Sequence, residues 1–222
     1  MVQFWWIIHK DLTSEIRTGR VWPPLCLYSL LAASIFSFQM DLLPGQRGHI
    51  AASLLWLVTL FAGMLCMDRT FVAEREDGCW HALRLYPVSM TAIYFAKLAV
   101  NVITLSVMQL VLIALLVIIA DLPLANHPWA MLSLTLLGNL GLAAVGTLFS
   151  ALGLTMSRSN GILSLLVLPL VIPVVIAATQ ATELLWEDDL GTLFWRWIEL
   201  LIVFDVVFIA AGAVLIDFVT EE

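Results

Sequence analysis

The chain has 222 residues, 62% of them hydrophobic and 12% charged, with a mean hydropathy of +1.00. That composition belongs to an integral membrane protein and excludes a soluble globular domain or a disordered chain. The formal net charge of −7 arises from local acidic clusters, at Glu183, Glu187, Asp188 and Asp189 and at Glu221 and Glu222, and no basic patch exists that could follow a phosphate backbone, so nucleic acid is not expected as a partner.

A bilayer core of about 30 Å takes roughly 20 apolar residues per helix. Six runs meet that requirement, at 21–40, 50–67, 93–120, 129–155, 161–182 and 198–217. The expected fold is all-α, because a membrane barrel would show short segments of alternating polarity instead. Residues 157–161, Ser-Arg-Ser-Asn-Gly, form a tight polar turn between the fourth and fifth runs, not a linker. Residues 1–222 therefore read as a single transmembrane domain.

Ahead of the first run, Trp5, Ile8, Leu12 and Ile16 recur at helical spacing, with Gln3, Lys10, Asp11, Ser14 and Arg17 largely on the other side. Residues 1–20 are thus expected to form an amphipathic helix in the inner membrane interface, with Trp5 and Trp6 at headgroup level. Gly19 ends it, and Pro23-Pro24 restarts the chain as the first span. A simple anchor and an elbow that carries motion into the bundle are compatible readings. The 20 residues before the first run are too long and too acidic for a signal-peptide n-region, and no Ala-x-Ala site closes the run, so it is expected to be retained.

The basic residues orient the chain. With the N-terminus cytoplasmic, Lys10, Arg17, Arg20, Arg69, Arg75, Arg84, Lys97 and Arg158 lie on or near the inner face, and Arg47 and Arg196 lie outside. This asymmetry places both termini in the cytoplasm. Of the three cysteines, Cys26 and Cys66 fall within spans and Cys79 lies inside, so no disulfide is expected and no metal-ligand spacing exists.

Between the second and third spans, residues 68–87 hold seven of the chain's 27 charged residues: Asp68, Arg69, Glu74, Arg75, Glu76, Asp77 and Arg84. Gly78 turns or breaks the chain. Trp80, Leu83 and Tyr86 then stand three apart on one helical face, and Pro87 closes the segment. A short cytoplasmic helix is expected here, either capping the bundle as a solvated loop or contacting an aqueous partner. Lys97, near the inner end of the third span, is placed to extend its charge to the interface.

Within the spans, Asn101, Gln109, Asn139 and Asp205 are the notable polar groups. An ionised carboxylate at the depth of Asp205 costs about 2.5–3.5 kcal/mol on insertion scales. It must face the bundle, be protonated or pair; the group either packs helices together or lines a cavity or subunit contact. Pro169 and Pro173, four apart in the fifth run, predict a kink or a broken helix. The freed carbonyls confine that stretch to protein contact or an aqueous cavity. A static bend and a hinge are both open. Gly138, Gly141 and Gly146 lack the lysine of a phosphate loop, so any ATP must be hydrolysed by another chain. No nucleophile–base pair and no metal cluster can be assembled, and no catalytic residue is assigned.

The pattern Arg69-x-Phe71-x-x-Glu74-x-x-Asp77-Gly78-x-x-x-x-Leu83-x-x-x-Pro87, followed by Ala96-Lys97, resembles the haem exporter protein B family, CcmB, the permease-type subunit of the cytochrome c maturation ABC complex. A second block, from Gly161 through Ser164, Leu168 and Pro169 to Ile172-Pro173, resembles it too, and the likeness spans essentially the whole chain. The Glu-Arg-Glu-Asp run at 74–77 is more charged than the family pattern. The resemblance implies an ABC-2 type exporter fold. It also implies a coupling segment for the ATPase subunit at Glu74, Glu76, Asp77, Gly78, Trp80, Leu83, Tyr86 and Pro87.

The implied partners are a second copy of the chain, the ATPase CcmA with its bound ATP and magnesium, the membrane proteins CcmC and CcmD, and the periplasmic haem chaperone CcmE. The implied location is the bacterial inner membrane, in contact with lipid. Haem is handled by the complex. No haem ligand is assigned in this chain, because His9 and His81 fall inside, His49 and His127 outside, and none at mid-membrane. Trp186, Trp195 and Trp197 read as an outer aromatic belt. The alternatives are a permease of another ABC-2 exporter, moving a lipid, drug or glycan, and a non-transporting membrane scaffold.

Overall fold

The computed structural model describes residues 2–19, 22–42, 44–67, 70, 89–120, 127–155 and 160–221. Among them the chain forms seven α-helices and one turn of 3-10 helix (Pro44–Gln46). The helices are α1 (Val2–Thr18), α2 (Trp22–Leu42), α3 (Arg47–Met67), α4 (Met90–Ala120), α5 (Pro128–Thr155), α6 (Asn160–Trp186) and α7 (Thr192–Glu221). No strand occurs among the described residues, in line with an all-α reading. Helices α3 to α7 are each long and apolar enough to cross a bilayer. Helix α2 has 21 residues and is apolar through Trp22–Phe36.

The helix limits follow local chemistry. Gly19, at a φ of 57°, takes the left-handed conformation just past the last residue of α1, a low-strain way to end a helix. Pro128 opens α5 at the first helical position, where its missing N–H costs nothing.

Helix α5 is the centre of the bundle and packs against α3, α4, α6 and α7. Its residues Gly141–Leu148 are all buried, and most of them are small. Small residues let helices approach closely where lipid supplies no hydrophobic drive between them. Three glycines of α5 act as notches. A Cβ at Gly138 would overlap the Trp56 ring of α3, one at Gly146 would overlap the Met67 side chain, and one at Gly141 would stand 2.7 Å from Asp205 Oδ1 of α7. Helix α1 lies along α4, while α2 packs against α3 and α4.

Candidate functional site

The polar groups sort by depth. At the end of the bundle that carries α1, α3 finishes at Met67 and the chain turns at Thr70. Helix ends leave carbonyls without intrahelical donors. Here they are claimed by neighbours. Ser150 Oγ of α5 lies 2.7 Å from the Met67 carbonyl oxygen and 2.8 Å from Gly146 O, its one proton shared between the two acceptors. The Thr70 N–H donates to Met67 O at 3.1 Å and the Thr70 hydroxyl to Cys66 O, also at 3.1 Å. A side-chain relay continues outward from Thr70. Its Oγ1 lies 3.1 Å from Asn101 Nδ2 of α4, and the same amide nitrogen donates to Thr147 Oγ1 of α5 at 2.9 Å. Asn101 is 4% exposed and Thr147 fully buried. Three helices thus meet at the residue that precedes 71–88.

A second fastening lies nearby. Lys97 Nζ of α4 stands 2.9 Å from Asp11 Oδ2 of α1, with the two side chains 7% and 12% exposed. The contact is a charge pair off hydrogen-bond geometry at Oδ2. Ile8 packs beside it on Ala96 and Val100. Lys97 therefore does not extend to the interface, as its position in the sequence suggests, but is held inside by an acid from the helix lying along α4. Asp11, assigned to the polar face of α1, turns toward the bundle for the same reason. Trp5 and Trp6 are exposed.

At mid-bundle, Asn139 Nδ2 donates to Ser106 Oγ at 3.1 Å across α4 and α5. Gln109 is fully buried, and its two amide atoms have no hydrogen-bond partner among the described residues. Asp205 lies in the Gly141 notch, 3% exposed, with both oxygens likewise unpartnered. All three groups are buried, and none of them hydrogen-bonds another among the described residues. Trp56 is a buried tie: its Nε1–H donates to Thr182 Oγ1 of α6 at 2.8 Å.

Helix α6 runs without a break through Pro169 and Pro173, so the broken-helix alternative is excluded. Both prolines sit on its exposed face. The carbonyls one turn before each lose their donors on that face.

The opposite end is fastened by two histidine–carboxylate contacts near the surface, which are ion pairs only where the imidazole is protonated. His49 Nδ1 of α3 lies 2.9 Å from Glu183 Oε2, and His127 meets Asp188 in the turn after α6. A cavity of about 540 Å³ opens here between Arg47, His49, Glu183, Trp186 and Glu187. Trp129 and Trp195 are exposed in the manner of a belt, but Trp186 is 7% exposed and belongs to the core. Of the cysteines, Cys26 is exposed and Cys66 buried, both as free thiols. The expected coupling residues Glu74, Glu76, Asp77, Gly78, Trp80, Leu83, Tyr86 and Pro87 lie outside the described residues, as does Cys79.

Comparison with known proteins covers almost the whole of this architecture. The family described as CcmB protein matches residues 2–218. Heme exporter protein B of Rhodobacter capsulatus is 30% identical over 174 residues, 78% of this chain and 79% of the relative. The protein of that name from Paracoccus denitrificans is 26% identical over 177 residues, 80% and 81% of the two chains. The Escherichia coli K12 protein is 28% identical over 187 residues, 82% of each. A match that runs from α1 into the last turns of α7 leaves no helix of the bundle outside it: the chain belongs to the CcmB protein family.

Proposed function

We propose that the chain is the membrane permease subunit of a haem ABC exporter that serves cytochrome c maturation in the bacterial inner membrane. One observation carries the reading: the family match over residues 2–218, backed by relatives whose name is heme exporter protein B. The bundle suits it, with five helices able to span a bilayer and α2 supplying the sixth, all within one transmembrane domain. Both termini are cytoplasmic on the distribution of basic residues.

The chain itself supplies no ATPase chemistry. ATP and magnesium are bound by CcmA, which docks on residues 74–87, with Trp80, Leu83 and Tyr86 as its apolar contact. The work of hydrolysis serves haem delivery or the release of the haem-loaded chaperone CcmE, in a complex that also holds CcmC and CcmD. A second copy of the chain fits the exposed face of Pro169 and Pro173, because backbone carbonyls freed inside a membrane are tolerated where protein covers them. On this reading the two prolines are a hinge in the moving bundle.

Haem staining of c-type cytochromes tests the reading. Cells lacking the chain should lose covalently haem-bearing cytochromes and regain them with the intact chain, but not with one lacking 71–88. Normal cytochromes in the deletion strain, with loss of another exported compound, would assign the chain to a different ABC-2 system. Replacing Pro169 and Pro173 together by alanine restores two backbone donors and should leave insertion intact. Maturation should then fall at matched protein levels; normal maturation would make the prolines packing elements only.

A further inference from the structure

The segment proposed to meet the ATPase, residues 74–87, begins four residues after Thr70. A push on it can reach the bundle through Thr70 on one side and through the start of α4, at Met90, on the other. A helix end in this position is ordinarily the loosest part of a helix, with several carbonyls unsatisfied. The end of α3 is the reverse. Its Met67 carbonyl takes Ser150 of α5 at 2.7 Å, and Thr70 holds Asn101 of α4, which donates to Thr147 of α5 at 2.9 Å. The Met67 side chain also fills the space that a side chain at 146 would take. Three of these contacts end on α5, at Gly146, Thr147 and Ser150, within one helical turn. Helix α5 in turn packs along α6, with Val174 only 3.2 Å from where a Cβ would stand at Gly141, one residue past Pro173.

Alanine or valine at these positions would fill the same apolar core at least as well. Groups that hydrogen-bond across helices inside a membrane bundle fix a relative position that apolar packing leaves free to slide. We propose that Asn101, Thr147 and Thr70 are positioning residues for energy coupling: they make the root of 71–88 move as one body with α5, so that a displacement imposed by the ATPase reaches α6. The inference rests on the docking reading given above for residues 74–87.

The test separates coupling from folding and from docking. In the assembled complex, Thr70→Val with Thr147→Val removes both hydroxyls at nearly constant shape, and Thr70→Ser with Thr147→Ser keeps them. Three quantities are read at matched protein levels: capture of the ATPase subunit by a crosslinker on Cys79, ATP hydrolysis by the purified complex, and holocytochrome c formed per ATP. The valine pair should leave the first two within about twofold and lower the third by roughly tenfold, in the range of coupling between distinct sites. The serine pair should restore it. Unchanged yield per ATP in the valine pair overturns the inference while leaving docking intact. A parallel fall in capture, hydrolysis and yield also overturns it, since the relay would then only hold the fold. If the wild-type chain captures no ATPase from Cys79, the docking reading fails first, and the inference with it.

Discussion

At the α1 end of the bundle, helices are joined through groups that water barely reaches: Lys97 to Asp11, Asn101 to Thr147, Ser150 to the end of α3. At the opposite end they are joined by His49 with Glu183 and His127 with Asp188, of which the His49 and Asp188 side chains are more than half exposed. The same kinds of contact are worth different amounts in the two places. Exposed ion pairs contribute about 0–1 kcal/mol and fade with salt. Buried pairs are costly to form and costlier to break by halves, because the remaining partner is stranded. Breaking a contact at the α1 end should therefore cost more than breaking one at the opposite end.

The largest effect should come from stranding a charge. Lys97→Met takes from the Asp11 carboxylate its buried partner, leaving only the exposed Lys10 at 3.5 Å from Oδ1, and should destabilise the bundle by up to about 3 kcal/mol. Thermal unfolding in detergent reads it, and Lys97→Met combined with Asp11→Asn should recover most of the loss. If the single and double variants unfold alike, the pair is not the fastening described here.

Next comes the centre. Gly138→Ala forces a methyl into the ring of Trp56, which has no room to move because it is fully buried and bonded to Thr182. Overpacking of that kind costs about 1–3 kcal/mol. A variant that unfolds at the wild-type temperature would mean that α3 and α5 can part at that level. Thr147→Val should cost less, about 1 kcal/mol, the scale of one buried hydrogen bond.

Smallest are the far-end variants. His49→Ala and His127→Ala should each change stability by less than about 1 kcal/mol, an effect that shrinks further when salt is raised. Losses there as large as that of Lys97→Met would erase the contrast between the two ends.

Much of this fold could be read from the chain because hydrophobic length is a blunt and reliable signal. Five of the six apolar runs correspond to helices long and apolar enough to cross a bilayer, α3 to α7, while the first falls on α2, apolar only through Trp22–Phe36; Gly19 stops α1 where its backbone freedom is needed. Partner choice was less legible. Lys97 in a membrane run reads as a side chain reaching for water; only the docking of α1 on α4 brings Asp11 within 2.9 Å of it. Periodicity puts Asp11 on the polar face of α1, but it cannot say which neighbour covers that face.

Trp56 and Trp186 show the same limit from the apolar side. Tryptophan near a span end suggests a belt, yet Trp186 is buried, and Trp56 spends its N–H on Thr182, 126 residues away. The glycines of α5 carried a usable signal. Three small residues at 138, 141 and 146 in one apolar helix mark the helix that others approach closely, and α5 is indeed the centre of the bundle. The prolines of α6 predicted a disturbance; the structure narrows it by keeping the helix continuous and turning both prolines outward. Asn101 and Thr70 belong to different segments 31 residues apart, and nothing in a single chain announces their bond.

The claim on which the account depends is that the ATPase works at the end of the bundle where the buried relay lies. Crosslinking from both ends of one assembled complex tests it most directly. Position 79 carries a native cysteine; Asp188→Cys, with Cys79 replaced by serine, reports from the other end. The ATPase subunit should be captured from position 79 and not from position 188. Capture from 188 with none from 79 would contradict it.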